Sequence, residues 1–382
     1  MAACPFPYPR GTPIRIFRMA QALSELGQEV HVITYHLGQR EQSSSFVIHR
    51  IPNLPFYQKM SPGPSYLKLL AVDPVLSLKV IRLYKKYKFD IIHAHHVEGF
   101  LAALPVRLFG NTPIIFDMHT LLATELQYYQ INFLHRSWLK KIGMFLDWNL
   151  PKYADHLISV TEEIKDKLIN NADIPPEGVS VISNGIEFEH FGQVGEIPKS
   201  KRKSTILGYA GNFAEYQGVG VMLKALRILR QTHPHIRLHL YSKDNIDKYK
   251  PIIERLNITS NVKIFPSDFQ DLPNQLAQAD ILLNPRPDGA GHPLKLLNYM
   301  AAGKPIISFA RSGHFLKHGE NSWIVADDNS QAFADGIEYL LANEKLAEDL
   351  GKNAKAFVKQ GFSWQSKGSE IIELYKDIIK TK

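Results

Sequence analysis

The chain has 382 residues, 45% of them hydrophobic, and this length and composition predict two domains with apolar cores. Its single cysteine, Cys4, excludes a disulfide framework and favours a reducing compartment, for which we expect the cytoplasm. No apolar run approaches the roughly 20 residues that cross a bilayer, and the first residues lack the pattern of a signal peptide. The net charge of +8 indicates an anionic partner and leaves nucleic acid, a phosphorylated metabolite and a lipid surface open.

Short apolar runs alternate with helical patterns, first over residues 1–183 and then over 204–340. Such alternation predicts an α/β fold with parallel sheets that helices cover on both faces. The predicted strands are Val30–Thr34, Ser45–Arg50, Ile91–Ala94, Ile114–Asp117, His156–Val160, Val179–Ile182, Thr205–Tyr209, Arg237–Tyr241, Val262–Phe265, Ile281–Leu283, Pro305–Phe309 and Trp323–Val325. The polar, basic segment 192–204 is typical of a linker between two similar domains.

The start of the chain departs from this pattern. A doubly wound domain normally opens with a full apolar strand, but only Ala2–Cys4 precede a proline-rich loop. We therefore expect a shortened first strand or a start that lies upstream. In the loop, Gly11 lets the backbone approach a ligand, the following N–H groups suit an anion, and Arg10 and Arg15 add positive charge. The alternative is a surface loop stiffened by proline.

Two strand ends carry residues that suit chemistry. Alternation places Asp117 and His119 on one face at the carboxyl edge of the sheet, where ligands bind and a histidine can exchange a proton. The alternative is a capping aspartate beside a structural histidine. His93, His95 and His96 end another strand, but no nearby cysteine or aspartate completes a metal-ligand set, and neighbours on a strand cannot all converge. We therefore favour loop or substrate-pocket histidines and expect no metal.

The stretch RPDGAGHPLKLLNYMAAGKP, Arg286–Pro305, resembles a glycine-rich loop that ends in a helix N-terminus. The helix dipole disfavours a cation such as Lys295 in a first turn by about 0.3–1 kcal/mol, unless an anion lies in front of the helix. The alternative is an amphipathic helix with a solvated lysine. After the strand Thr205–Tyr209, Gly211 also suits close approach to phosphates, but the spacing is not that of a dinucleotide site.

The helix predicted over Phe133–Leu150 mixes aromatic and aliphatic side chains with Arg136, Lys140 and Lys141. It suits an anionic membrane surface, and the alternative is a helix that packs on the sheet with its basic residues outward.

In order along the chain, the motifs resemble the retaining glycosyltransferases of family 4, which have the GT-B fold. The resemblance covers nearly the whole chain and is carried by G-T-P-I-R after the first strand, D-M-H at 117–119, S-N-G-I-E-F-E-H-F at 183–191, Y-A-G-N-F at 209–213, R-P-D-G-A-G-H-P-L-K at 286–295, Y-M-A-A-G-K-P at 299–305 and H-G-E-N-S-W-I-V at 318–325. It implies two Rossmann-like doubly wound domains that face each other across a cleft. Residues 1–190 would bind the acceptor and residues 204–363 a nucleotide sugar, and a last helix within 364–382 would pack back on the first domain.

The resemblance also implies a reaction. A hexose moves with retention of configuration from a nucleotide sugar, with UDP-glucose the first candidate, to a glycan or lipid-linked acceptor in polysaccharide or glycolipid assembly. No metal or other cofactor is implied. His119, Lys295 and Asp117 would be catalytic, because catalysis rests on stabilising the charge of the leaving diphosphate. The donor would contact Gly11, Thr12, Gly211, Asn212, Arg286, Gly289, Ala290, Gly291, His292, Pro293, Leu294 and Asn298. We expect a peripheral contact at the cytoplasmic membrane face and no nucleic acid, since the basic residues are scattered.

The chain departs from the family pattern in two places. Ala290 and Asn298 stand where members often carry two glutamates, and Asn212 and Gln217 stand where they carry basic residues that grip the diphosphate. Lys295 would then meet most of the phosphate charge, together with Arg286 and backbone amides. These departures leave three alternatives open: a nucleotide-sugar epimerase, a hydrolase of the same fold, and a non-catalytic nucleotide-sugar-binding protein.

Overall fold

The computed structural model describes residues 1–8, 11–39, 45–60, 63, 65–126, 133–192, 204–287, 294–313, 315–326 and 328–381. The chain forms two compact domains. The first combines Met1–Gly185 with Trp364–Lys382, and the second lies between Ile186 and Ser363. The sequence predicts that the first domain ends at residue 190. The structure ends it at Gly185, because Ile186 and Phe191 are buried in an apolar core of the second domain.

The described strands of the first domain pair in parallel. β1 pairs with β2, and the other four follow the order β3-β4-β5-β6. Ala2 forms parallel bridges with Thr34 and His95, so residues 1–3 occupy the first-strand position between β1 and β3. The strands are β1 His31–Thr34, β2 Val47–Arg50, β3 Ile92–His95, β4 Ile114–Met118, β5 His156–Ser159 and β6 Val179–Val181.

Helices connect these strands. A π-helical turn, Lys68–Val72, leads directly into the second helix. Thr161 caps α6, since its side chain accepts a hydrogen bond from Ile164 N. The helices are α1 Gly11–Glu25, α2 Asp73–Tyr87, α3 His96–Ala103, α4 Leu122–Leu126, α5 Phe133–Asn149 and α6 Glu162–Ala172.

The second domain has one six-stranded parallel sheet in the order β12-β11-β10-β7-β8-β9. This is the doubly wound order of Rossmann-like sheets, and it reverses between β7 and β10, where such sheets bind ligands. The central strands are apolar and buried along their length, as expected of a sheet covered on both faces. The strands are β7 Ile206–Ala210, β8 Arg237–Tyr241, β9 Val262–Phe265, β10 Ile281–Asn284, β11 Ile306–Phe309 and β12 Trp323–Val325.

The helices of the second domain are α7 Phe188–Gly192, α8 Val219–Leu229, α9 Lys250–Arg255, α10 Leu272–Ala277, α11 Leu294–Ala301, α12 Ser330–Ala342 and α13 Glu344–Gly361. The last helix, α14 Trp364–Lys380, belongs to the first domain and packs on α1. A Cβ on Gly368 would lie 3.0 Å from Leu26 Cδ1 and 3.2 Å from Ala22 Cβ, so a larger residue there would require these side chains to shift. None of the described helices combines the length and apolar composition of a transmembrane span.

Candidate functional site

A group of polar residues lies at the carboxyl edge of the first domain's sheet, where the strand order reverses between residues 1–3 and β3. We call it the histidine cluster. Parallel strands bring their carboxyl ends to one edge, so residues far apart in sequence meet there. The cluster consists of Thr12, Arg15, His93, His95, His96, Asp117 and His119.

Asp117, fully buried at the end of β4, is the anion at the centre of this cluster. Its Oδ2 lies 3.1 Å from Arg15 Nη2 and 3.2 Å from His93 Nε2. Arg15, also buried, donates a further hydrogen bond to Asn184 Oδ1 at 3.0 Å. Burial alone would raise the pKa of Asp117, but Arg15 and the histidines hold that pKa well below its usual range. Asp117 is therefore ionised and ties α1 to β4.

His119 lies on the same face as Asp117, as alternation predicts. Its Nε2 is 3.5 Å from Asp117 Oδ2 and 3.0 Å from His95 Nδ1, and its Nδ1 is 3.3 Å from Thr12 Oγ1. Burial lowers the pKa of His119 to about 3, so the ring is neutral at pH 7. A neutral imidazole has one N–H, and here both ring nitrogens face partners, so a substrate oxygen could accept that hydrogen bond by taking the place of Thr12 Oγ1.

The three histidines that end β3 do converge, so the expectation that they could not is wrong. The rings of His93 and His95 stack at 4.4 Å, and the ring of His96 lies 4.5 Å from that of His119. His96 has a left-handed backbone with φ 60°, which ends the strand and turns its side chain to Thr12 Oγ1 at 2.8 Å. Strand alternation stops at this residue and cannot predict its direction.

The expectation that no aspartate is near these histidines is also wrong. Ligand atoms of His93, His95 and Asp117 lie within 4.8 Å of one another, a spacing that suits a metal ion. However, the guanidinium of Arg15 contacts both carboxylate oxygens of Asp117. A divalent cation at the same carboxylate would be opposed by this positive charge. The group is therefore better suited to an internal ion pair than to a metal.

Tyr375 of α14 completes the cluster from the other end of the chain. Because the ionised Asp117 can only accept, His93 Nε2 carries the proton. His93 Nδ1 then accepts a hydrogen bond from Tyr375 Oη at 2.6 Å. The sequence pattern gives no sign of this contact, which joins residues 282 positions apart.

The first loop differs from the prediction in the role of Arg15. This residue was expected to add positive charge to the loop, but the structure turns it inward to Asp117, so its charge is already neutralised. Gly11 and Thr12 begin α1, and a Cβ on Gly11 would meet open space. Arg10 lies outside the described residues.

A second group surrounds Lys295 in the second domain, and we call it the lysine cluster. Lys295 stands in the first turn of α11, and its Nζ donates to Gln217 Oε1 at 2.7 Å and lies 4.7 Å from the centre of the Tyr209 ring. Burial, and then the charge of Arg286, lower the pKa of Lys295 well below its usual value. In the described part of the chain Lys295 forms no ion pair with a carboxylate. A half-buried ammonium at a helix N-terminus, with no carboxylate partner among the described residues, is suited to an anion from outside.

The loop after β7 supports this cluster. Gly211 has φ 148°, and a Cβ there would lie 3.0 Å from Tyr209 Oη. The side chain of Asn212 accepts from Ala214 N at 3.1 Å and donates to Tyr216 Oη at 3.3 Å, so it builds the turn. The guanidinium of Arg286 in turn lies over the ring of Tyr216, 5.3 Å from the ring centre.

Three further predicted donor contacts are described, two of them within α11 and one before it. Leu294 begins this helix, and Asn298 is half-buried one turn later. Arg286 follows β10 and is half-buried. The other predicted contacts lie outside the described residues, and they are Gly289, Ala290, Gly291, His292 and Pro293.

Comparison with known proteins agrees with this architecture. The family model described as Glycosyltransferase Family 4 matches residues 9–190, and that described as Glycosyl transferases group 1 matches residues 195–357. The chain is 23% identical over 334 residues to the UDP-Gal:alpha-D-GlcNAc-diphosphoundecaprenol alpha-1,3-galactosyltransferase of Escherichia coli, covering 80% of each chain.

Solved structures share the fold at low identity. The sucrose-phosphate synthase of Thermosynechococcus elongatus superposes with a TM-score of 0.81 at 18% identity, covering 98% of this chain and 94% of the other. Anabaena Alr3699/HepE in complex with UDP-glucose gives a TM-score of 0.72 at 16% identity, covering 98% of each chain. Two adjoining family models, the parallel sheets of both domains and these likenesses agree, and the chain belongs to the family-4 glycosyltransferases of the GT-B fold.

Proposed function

We propose that the protein is a retaining hexosyltransferase that uses a UDP-sugar, with UDP-glucose the first candidate. The observation that carries the proposal is Lys295, a half-buried ammonium whose described polar partner is the neutral Gln217. A diphosphate would supply the missing negative charge. The relative from Escherichia coli is named for a UDP-galactose reaction, and the Anabaena structure holds UDP-glucose; both support a UDP-linked donor.

In the proposed reaction an acceptor hydroxyl oxygen bonds to the anomeric carbon of the sugar as the bond from that carbon to the diphosphate oxygen breaks. The hydroxyl proton passes to the departing phosphate oxygen on the same face, so no protein carboxylate is needed as a nucleophile. Lys295 stabilises the negative charge that develops on the diphosphate, together with Arg286 and the amides of the first turn of α11. The donor site is completed by Asn298, Asn212 and Gly211.

We assign the acceptor to the first domain and place His119 against the transferred sugar. The neutral ring donates its Nδ1–H to a sugar hydroxyl in place of Thr12 Oγ1, and Asp117, directly and through His95, holds this ring in place. Asp117 is thus a positioning residue, whereas its predicted role is catalytic. Because Arg15 occupies the carboxylate, we propose a reaction without a metal.

We further propose a glycan or lipid-linked acceptor in polysaccharide or glycolipid assembly at the cytoplasmic face of a membrane. The diphosphoundecaprenol acceptor in the name of the Escherichia coli relative supports this class. The outer side of α5 also supports it, since Trp138 and Phe145 are 69% and 65% exposed beside the exposed Lys140 and Lys141. Aromatic and basic side chains on one helix suit an anionic membrane surface.

A panel of nucleotide sugars tests the donor. The cognate donor raises the melting temperature by mass action, and UDP-glucose is expected to give the largest rise. Lys295→Ala should weaken its binding by about 1.5–3 kcal/mol, the range of a hydrogen bond to a charged group. Lys263→Ala, at an exposed lysine of β9 in the same domain, is the matched control. A flat response to all UDP- and GDP-sugars, or an unchanged affinity in Lys295→Ala, would reject the proposal.

Product analysis separates the alternatives. Incubation of the protein with the donor and with glycan or lipid-linked acceptors should yield the donor's sugar joined to the acceptor. Free sugar alone would identify a hydrolase, and an isomerised nucleotide sugar would identify an epimerase. Binding without any product would favour a non-catalytic nucleotide-sugar-binding protein.

A further inference from the structure

In the turn that leads into α2, a charged side chain is buried while most of the apolar side chains around it are exposed. Its charged residue, Lys68 of the π-helix Lys68–Val72, points inward, and its Nζ lies 2.6 Å from Glu98 Oε1. The side chain of Lys68 is only 14% exposed. Four of its apolar neighbours are exposed, and they are Tyr66, Leu67, Leu69 and Leu70, whereas Val72 at the end of the turn is buried. Lysines are seldom buried and large apolar side chains seldom cluster on a surface, so this arrangement marks an interaction site.

The ion pair explains how this arrangement is held. Lys68 Nζ also lies 5.9 Å from the centre of the Tyr35 ring, which is buried after β1. Glu98 belongs to α3, two residues beyond His96 of the histidine cluster. The ion pair of Lys68 and the buried side chain of Val72 thus fix the turn to the domain. The ion pair occupies the inward side together with Val72, and Leu67, Leu69 and Leu70 stay on the surface.

Positive charge continues this surface along α2. Leu78 is exposed, and Arg82, Lys85 and Lys86 follow on the outer side of the helix. Residues 51–89 contain seven lysine and arginine side chains and one acidic residue, Asp73. An apolar end followed by a basic end, with almost no negative charge, is complementary to an anionic lipid surface.

We propose that residues 66–86 dock on the surface of a bilayer that contains anionic lipids. Tyr66, Leu67 and Leu70 enter the boundary of the acyl chains, and the basic end of α2 lies over the headgroups. The inference rests on the proposed membrane contact of this domain and adds a surface that the sequence analysis did not predict. α2 and α5 both join strands in the same direction across the sheet. The right-handed crossover rule therefore places both helices on one face, where they share a single membrane-facing side.

A second copy of the chain is the competing occupant of this surface. Two copies that meet through residues 66–86 would each bring a net positive surface to the interface, and this repulsion disfavours self-association. Anionic lipid instead neutralises the same charges. The positive charge of the surface thus favours contact with an anionic bilayer over contact with a second copy of the chain.

Co-sedimentation with vesicles tests the inference without any donor or acceptor. The protein should bind vesicles of phosphatidylcholine and phosphatidylglycerol in equal parts, bind phosphatidylcholine alone weakly, and dissociate as salt is added. Leu67→Ser with Leu70→Ser should weaken binding about tenfold for each leucine, since each would bury much of a side chain. Ile264→Ser is the matched control, because Ile264 is 43% exposed on β9 of the second domain.

Equal binding by the double variant and the wild type would overturn the inference. So would a dimer of the wild type that the double variant disperses, since a second copy would then cover the leucines. The melting-temperature response to UDP-glucose, measured without vesicles, separates the two proposals. A normal response with no vesicle binding rejects only the docking surface. Leucine-dependent vesicle binding with no response to any nucleotide sugar rejects only the transferase proposal.

Discussion

Gln217→Glu is expected to weaken donor binding while leaving the fold intact. Gln217 is buried, and its Oε1 accepts a hydrogen bond from Lys295 Nζ at 2.7 Å. Glutamate has the same shape but would place a carboxylate on this ammonium. The pKa of Lys295 would rise toward its ordinary value, and the lysine would gain a permanent counter-ion. An incoming diphosphate would then have to oppose the new carboxylate.

The size of this effect follows from Coulomb's law. Two unit charges about 5 Å apart interact by about 3 kcal/mol at an effective dielectric constant of about 20. A diphosphate bound to Lys295 would lose this amount of binding free energy, which corresponds to a roughly hundredfold increase in Kd. The new ion pair is enclosed, so its attraction and its desolvation nearly cancel, and the free energy of unfolding should change by less than about 1 kcal/mol.

Titration calorimetry with UDP-glucose measures the affinity, and urea denaturation measures the stability. Gln217→Met is the control, since it keeps the volume and removes the acceptor without adding charge. This control should lose about 1 kcal/mol of stability and change Kd less than about threefold, because only a neutral hydrogen bond is removed. If Gln217→Glu bound UDP-glucose as tightly as the wild type, the diphosphate could not lie at Lys295.

Three further predictions concern stability and pH. Gly218→Ala should cost about 3 kcal/mol or more in urea denaturation, because the residue has φ 72° and its Cβ would lie 1.8 Å from a backbone oxygen; a loss below about 1 kcal/mol would contradict the geometry. Asp117→Asn should cost about 3–5 kcal/mol by leaving Arg15 buried and unpaired. Because the folded-state pKa of Asp117 is depressed, the difference in free energy of unfolding between the wild type and Asp117→Asn should be full above about pH 4 and shrink as the pH falls further. A difference that stayed constant down to pH 2 would refute the ion pair. Donor affinity should fall as the pH rises through the lowered pKa of Lys295, with proton uptake on binding, and Lys295→Arg should abolish that dependence. Calorimetry in buffers of different ionisation enthalpy measures the uptake, and none in the wild type would show that Lys295 is not the titrating group.

The fold could be predicted because its signals are local. Buried parallel strands are short apolar runs between helical patterns, and the prediction of Arg237–Tyr241 coincides with β8. Lys295 could also be singled out, since a cation in a first helical turn conflicts with the helix dipole. Its partner Gln217, 78 residues earlier, could not.

The contacts that organise the histidine cluster depend on tertiary structure. Arg15 and Asp117 are 102 residues apart, and neither local sequence shows that the arginine turns inward. The direction of His96 depends on a left-handed backbone at a non-glycine residue, which strand alternation cannot foresee. The burial of Lys68 could not be predicted either, because an amphipathic pattern predicts an exposed lysine and buried leucines.

The second domain is, in topological terms, an insertion into the first. The chain leaves the first domain after Gly185 and returns at Trp364, and these two residues pack so closely that a Cβ on the glycine would lie 2.7 Å from the indole. On the other side, Ile186 N donates to Phe362 O at 2.6 Å, so the inserted segment begins and ends at one point. The inserted segment can therefore be excised as one continuous piece with adjacent ends. The host domain instead requires both termini of the chain.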